Sequence, residues 1–211
     1  MQDGFPLKTP GGPFPPPPEC SSDKQSPALL PWAFLFLWTI LLFSGLLLAP
    51  RLWSAARSFL PESATLLPWA GLLTLLGILT MGLLRSASVP RGRLLLLIAG
   101  WAVAFGGSTA LLSRYPAEPI HAAEYVVLAL LARWSFKTIL SGNPAWAWAF
   151  FFAAGIGTVE EVLQYWVPGR VYDPRDLALN ACAVFFGLLL AACIEYARSG
   201  RDDLKMKGGR W

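Results

Sequence analysis

The sequence predicts an all-α fold: a polytopic membrane helix bundle of about six transmembrane helices. Composition is the first reason. Hydrophobic residues make up 55% of the 211 and charged residues 14%, against about 25% charged in soluble domains. A domain of this size has too little interior to hide that much apolar surface. Distribution is the second reason, because the apolar residues gather into runs near the ~20 residues a helix needs to cross the hydrocarbon core. Such runs are too long and continuous for barrel strands. The third reason is that Lys and Arg collect in short clusters between the runs, as membrane topology requires.

Residues 1–28 read as a tail. Its eight prolines, four of them consecutive at Pro15–Pro18, favour solvated polyproline II and bury no core. The tail is expected to be disordered, and a proline-binding partner is its functional alternative. It lacks the basic start and compact apolar stretch of a signal peptide. The first span has its core at Leu29–Leu48, and Arg51–Leu60 follows as an interfacial helix or a loop. Ser63–Leu84 is the second span and Leu94–Ser113 the third, joined by Arg85–Arg93 with Pro90 and Gly92. The fourth begins at Pro119, carries His121 and Glu124, and continues past Arg133 to about Leu140, so it crosses only if its polar residues are sheltered. Thr138–Val159 is the fifth, with Pro144 near its start, and Leu177–Ile194 the sixth. No internal repeat suggests an inverted-repeat transporter.

Charge orients the bundle. With six spans, Lys8, Lys24, Arg85, Arg91, Arg93, Arg133, Lys137, Arg198, Arg201, Lys205, Lys207 and Arg210 fall on one side. Arg51, Arg57, Arg114, Arg170 and Arg175 fall on the other. Twelve against five places both termini in the cytoplasm. The net charge of +4 therefore reads as topology rather than as nucleic-acid binding. Cys20, Cys182 and Cys193 form no CxxC motif, and His121 is the single histidine, so zinc-knuckle, thioredoxin-type and His-rich metal sites are excluded.

The polar residues inside the apolar pattern matter most for function. His121 and Glu124 are three apart on one helical face. Glu160, Glu161 and Gln164 end the fifth span, and Asp176 and Asn180 share a face at the start of the sixth. In this topology all three places lie at the non-cytoplasmic end. Ionisable groups at membrane depth are costly and usually face a bundle interior or a wet cavity. Being adjacent, Glu160 and Glu161 are not expected to face the same way; one would face the bundle and the other the headgroups. Gly155, Gly157, Gly106 and Gly107 offer close helix approach.

These segments resemble the VanZ-like membrane proteins. The resemblance rests on HAAEY (121–125), EEVLQYWVPGR (160–170) and DLALN (176–180), with Gly187 beyond. The spacing matches at Glu161, Gln164, Pro168, Gly169, Arg170, Asp176, Asn180 and Gly187. The usual Asp-Glu pair is Glu160-Glu161 here, and a usual glycine is Ala183. The resemblance covers about 94–195. It implies a four-helix core over 91–198, preceded by a two-span extension over 29–90 and followed by a basic tail over 199–211. It also implies a role in the bacterial cell envelope, with a link to resistance against the glycopeptide teicoplanin.

The residues support several chemistries. In an enzyme acting on a phosphate-bearing or lipid-linked substrate, Arg170, with Arg175 nearby, would hold a phosphate. Glu161 or Glu124 would serve as general acid or base, with His121 a second candidate. Asn180, Gln164 and Asp176 would orient the substrate. A variant would use His121, Glu124, Glu161 and Asp176 as hard-metal ligands, but the spacing demands no metal and names no cofactor. Alternatively, the same groups recognise an anionic lipid or envelope precursor, or tie the helices together, without turnover. Transport is the weaker reading, because the cytoplasmic halves of spans four to six show no matching polar set. The expected partners are the lipid bilayer and an anionic lipid or lipid-linked envelope precursor, not nucleic acid.

Overall fold

Why each apolar run becomes a helix follows from the bilayer, where backbone polar groups must be satisfied within the segment. A computed structural model describes residues 29–59, 67–115, 118–167 and 173–208, and these form six helices. They are α1 (Leu29–Phe59), α2 (Leu67–Ser86), α3 (Arg91–Leu112), α4 (Glu118–Phe136), α5 (Asn143–Gln164) and α6 (Pro174–Gly208). The proline-rich tail lies outside the described residues. Four stretches are long and apolar enough to cross a membrane: Leu29–Leu46, Arg91–Leu112, Asn143–Gln164 and Pro174–Ser199. Their outward surfaces carry large exposed apolar side chains, including Phe36, Leu96, Val103, Phe151 and Phe185. The chain is an all-helical membrane protein.

Several boundaries differ from the sequence expectation. Arg51–Phe59 is a continuation of α1 rather than a separate segment or loop. The fifth helix starts at Asn143, not Thr138, because the chain turns at Gly142, whose φ of +65° suits glycine. Pro144 then sits in the first turn, where its missing N–H costs nothing. Residues 138–140 instead close the end of α4 through backbone hydrogen bonds to Ser135 and Phe136. The sixth helix begins at Pro174 and runs to Gly208, well beyond Ile194.

α4 is the centre of the bundle and packs against each of the other five helices. That position helps a 19-residue helix holding Glu118, Glu124 and Arg133 to shelter polar groups: Arg133 and Ser135 are buried. Small residues bring the helices close. Ala122, Ala129 and Ala132 on α4, Ala149 and Ala153 on α5 and Ala183 on α6 are all buried, the pattern of helix seams in membranes. The closest approach is at Gly187, where an added Cβ would lie 2.7 Å from Ala129 Cβ and 2.9 Å from Val126 O. Gly157 similarly faces Asn180 and Tyr125, whereas Gly106, Gly107 and Gly155 have nothing within 4 Å of an added Cβ. Of the glycines expected to mediate close packing, only Gly157 does so.

Indole N–H groups and polar side chains tie the helices in register. Trp101 Nε1 donates to Phe186 O (2.6 Å), Trp38 Nε1 to Glu124 O (3.1 Å) and Trp32 Nε1 to Thr138 Oγ1 (3.3 Å). Ser88, in the α2–α3 turn, donates from both N and Oγ to Ala197 O at 3.1 Å. These contacts put the start of α1, the α2–α3 turn, the α4–α5 turn and the late part of α6 at one end. The ends of α3 and α5 and the starts of α4 and α6 lie at the other.

Candidate functional site

The second of these ends holds the polar residues singled out in the sequence. The starts of α4 and α6 run side by side in parallel there, and α5 arrives antiparallel to both. His121 Nδ1 lies 3.3 Å from Glu124 Oε2, and its Nε2 lies 3.8 Å from Glu160 Oε2. The Tyr125 hydroxyl donates to the same Glu160 oxygen at 2.5 Å, and the His121 and Tyr125 rings meet edge to face at 5.1 Å. On the next turn of α5, Gln164 Nε2 donates to Glu161 Oε1 at 3.0 Å.

The adjacent carboxylates correct one expectation. Glu160 and Glu161 are 4% and 0% exposed, so neither faces the headgroups. Successive residues on a helix point about 100° apart, and α5 is covered by both α4 and α6, so both directions are enclosed. Gln164 is buried with them.

Asn180 completes the cluster from α6. It is buried beside Tyr125, and Gly157 makes room for both: a Cβ there would lie 3.1 Å from Asn180 Cβ and 3.1 Å from Tyr125 Cε1. Neither Asn180 Nδ2 nor Oδ1 has a hydrogen-bond partner among the described residues, and the same holds for Asp176 Oδ1. A buried amide left unpaired costs about 1–3 kcal/mol, which marks this as a place where a bound polar group would be favourable. Asp176 interacts electrostatically with His121 and Glu118.

His121, Glu124, Glu161, Gln164, Asp176 and Asn180 therefore gather at one end, as the sequence suggested. Arg170 lies outside the described residues. The hydrogen bonds of Arg175 go to Asp173 and the end of α3. Its Nε and Nη2 bind Asp173 Oδ2 at 3.1 and 2.6 Å, and its Nη1 donates to Leu112 O at 3.2 Å. It is a clamp between the end of α3 and the start of α6. The hydrogen bonds from Arg175 hold the Asp173 carboxyl below the usual aspartate range. Among the described residues, no group of three or more His, Cys, Asp or Glu side chains is placed to hold a metal ion.

Two partners were missed in the sequence. Tyr125 is four residues after His121 and so shares its face; that spacing was a usable signal. Glu160 was seen only as half of an acidic pair, and its role needs α4 beside it. A smaller polar cluster occupies the opposite end of the bundle. Arg133 is buried, with its Nη2 3.1 Å from both Glu195 oxygens. Its guanidinium carbon stands 4.1 Å from the Trp146 ring centroid, and Lys137 Nζ lies 3.6 Å from Glu195 Oε1.

No protein-family model, no curated protein and no solved structure matches the chain.

Proposed function

We propose that the chain is a VanZ-like protein of the bacterial inner membrane. In this reading it has six spans around a four-helix core, both termini are cytoplasmic, and its polar site faces the cell envelope. The site recognises or processes a lipid-linked or phosphate-bearing envelope substrate, with an effect on glycopeptide resistance as one consequence. The observation that carries this reading is the buried constellation His121–Glu160–Tyr125, joined by Glu161–Gln164 and the unpaired amide of Asn180. Buried ionisable groups are expensive in a membrane protein and are by default candidates for function. Orientation is supported by charge. Arg85, Arg91, Arg93, Arg133, Lys137 and Arg198 lie toward one end, against Arg114 and Arg175 toward the other, and it is the Lys/Arg excess that orients a bundle.

In the enzymatic form, Glu161 or Glu124 moves the proton of the reacting group and His121 assists. Gln164, Asn180 and Asp176 orient the headgroup, and Arg170 holds its phosphate. The alternative is a non-catalytic binding or assembly protein. It is favoured by the way the polar groups satisfy one another across helices, as Tyr125 does Glu160. Purified protein in lipid is given a labelled lipid-linked envelope precursor. Turnover by wild type and its loss in Glu161→Gln supports the enzyme. Equal binding by both proteins with turnover by neither supports the assembly role.

A further inference from the structure

We propose that Glu124, His121 and Glu160 form a proton relay from the open end of the bundle to a buried carboxylate, with Tyr125 as the positioning residue for that carboxylate. The proposal rests on reading this end of the bundle as a working site, and it adds the path by which that site gains and loses protons.

The geometry is that of a shuttle. The two nitrogens of the one histidine in the chain face different carboxylates, Glu124 at 3.3 Å and Glu160 at 3.8 Å. Exposure falls along the line: the side chains of Glu124, His121 and Glu160 are 40%, 22% and 5% exposed. Tyr125 at the inner end is fully buried. Its hydroxyl and the oxygen facing His121 meet at the same atom, Glu160 Oε2, so the tyrosine fixes which oxygen is presented to the ring. The edge-to-face contact between the two rings limits how the imidazole turns. Glu161 on α5 and Asp176 on α6 also act on His121 electrostatically, so the ring stands in a field of carboxylates from three helices.

Imidazole accepts a proton at one nitrogen and releases one from the other near neutral pH. A proton taken from water by Glu124 passes to His121 Nδ1, and the proton on Nε2 passes to Glu160. Glu124 returns to carboxylate, Glu160 becomes a carboxylic acid, and the ring has changed from its Nε2–H to its Nδ1–H tautomer. The reverse sequence resets it. The 3.8 Å separation closes to a charge-assisted hydrogen bond with a movement of about 1 Å.

The test is a pH jump on the full-length protein in lipid nanodiscs, followed by time-resolved infrared difference spectroscopy of protonated carboxyl groups. The Glu160 band is the one lost in Glu160→Gln. We expect His121→Gln to slow its rise by roughly a hundredfold or more, the scale of a lost proton-transfer group. Glu124→Gln should slow it several-fold without changing its final amplitude. Tyr125→Phe should move the band's frequency, because the hydrogen bond from Tyr125 to Glu160 is lost, but not delay its rise. If His121→Gln fails to fold, Glu124→Gln at the exposed end carries the same kinetic test. The relay is overturned if no band is lost in Glu160→Gln, or if the rise is unchanged in the relay variants that fold. Lack of turnover on any envelope precursor would end the enzymatic reading and leave the infrared result standing. Preserved turnover with an unchanged rise would end the relay alone.

Discussion

Gly187→Ala is the sharpest test of how the bundle is assembled. The new methyl would lie 2.7 Å from Ala129 Cβ, 2.9 Å from Val126 O and 3.0 Å from Val126 Cα. Carbon atoms in good contact stand about 3.5–4.0 Å apart, so the overlap with Ala129 is about 1 Å. Two of the three atoms belong to the α4 backbone, so no rotamer change removes the clash and the helices must separate. Overpacking costs about 1–3 kcal/mol, and a rigid backbone neighbour puts this site near 3. Alanine recovers about 1 kcal/mol of helix propensity over glycine. The net loss is roughly 2 kcal/mol, or about a 30-fold fall in the folding equilibrium. Gly106→Ala is the matched control, since nothing lies within 4 Å of its added Cβ; it should be neutral or gain up to about 1 kcal/mol. Unfolding of both variants is measured by detergent titration in mixed micelles, followed by tryptophan fluorescence. If Gly187→Ala and Gly106→Ala unfold within about 0.5 kcal/mol of each other, a margin typical of unstrained substitutions, then α4 and α6 do not meet as described.

Three further outcomes are expected. Gly157→Ala meets side chains, Asn180 and Tyr125, at 3.1 Å, which yield more easily than backbone. It should cost only about 1 kcal/mol of stability while lowering precursor binding or turnover, and unchanged binding would separate Asn180 from the site. At the other end, Glu195→Gln removes the negative charge opposite Arg133 and replaces one of the two oxygens near its Nη2 with an amide NH2. Because the Glu195 side chain is 36% exposed, the loss should be about 1–2 kcal/mol rather than the value for a fully buried pair. The double variant Arg133→Leu/Glu195→Leu should lose less than the sum of its singles, and simple additivity in a double-mutant cycle would show that the two side chains do not interact. In a cysteine-free background on intact cells, Gly169→Cys should react with an impermeant thiol reagent and Gly208→Cys should not; the reverse pattern would invert the topology.

Much of this protein is legible from residue order alone. The all-helical class, the position of most spans and the gathering of polar residues at one end follow from hydropathy, because length and apolar content are local properties that a bilayer reads directly. Spacing was enough to put His121 with Glu124 and Asp176 with Asn180 on shared faces. Helix ends were less legible. α1 and α6 continue past the hydrocarbon length, and the start of α5 is set by one backbone angle at Gly142.

Tertiary structure alone decided which polar groups meet. The pairing of Glu160 with His121 and Tyr125 spans at least 35 residues of chain, and Arg133 reaches Glu195 across 62. No periodicity within one helix encodes such contacts. Burial of both Glu160 and Glu161 also depends on two neighbouring helices covering α5 from different sides. Gly187 and Gly106 are both glycines within apolar helical runs, yet only at the first would an added Cβ meet another helix. The physical reason is common to all these cases: a helix's own sequence sets which residues share a face, while the crossing of its neighbours sets what that face meets.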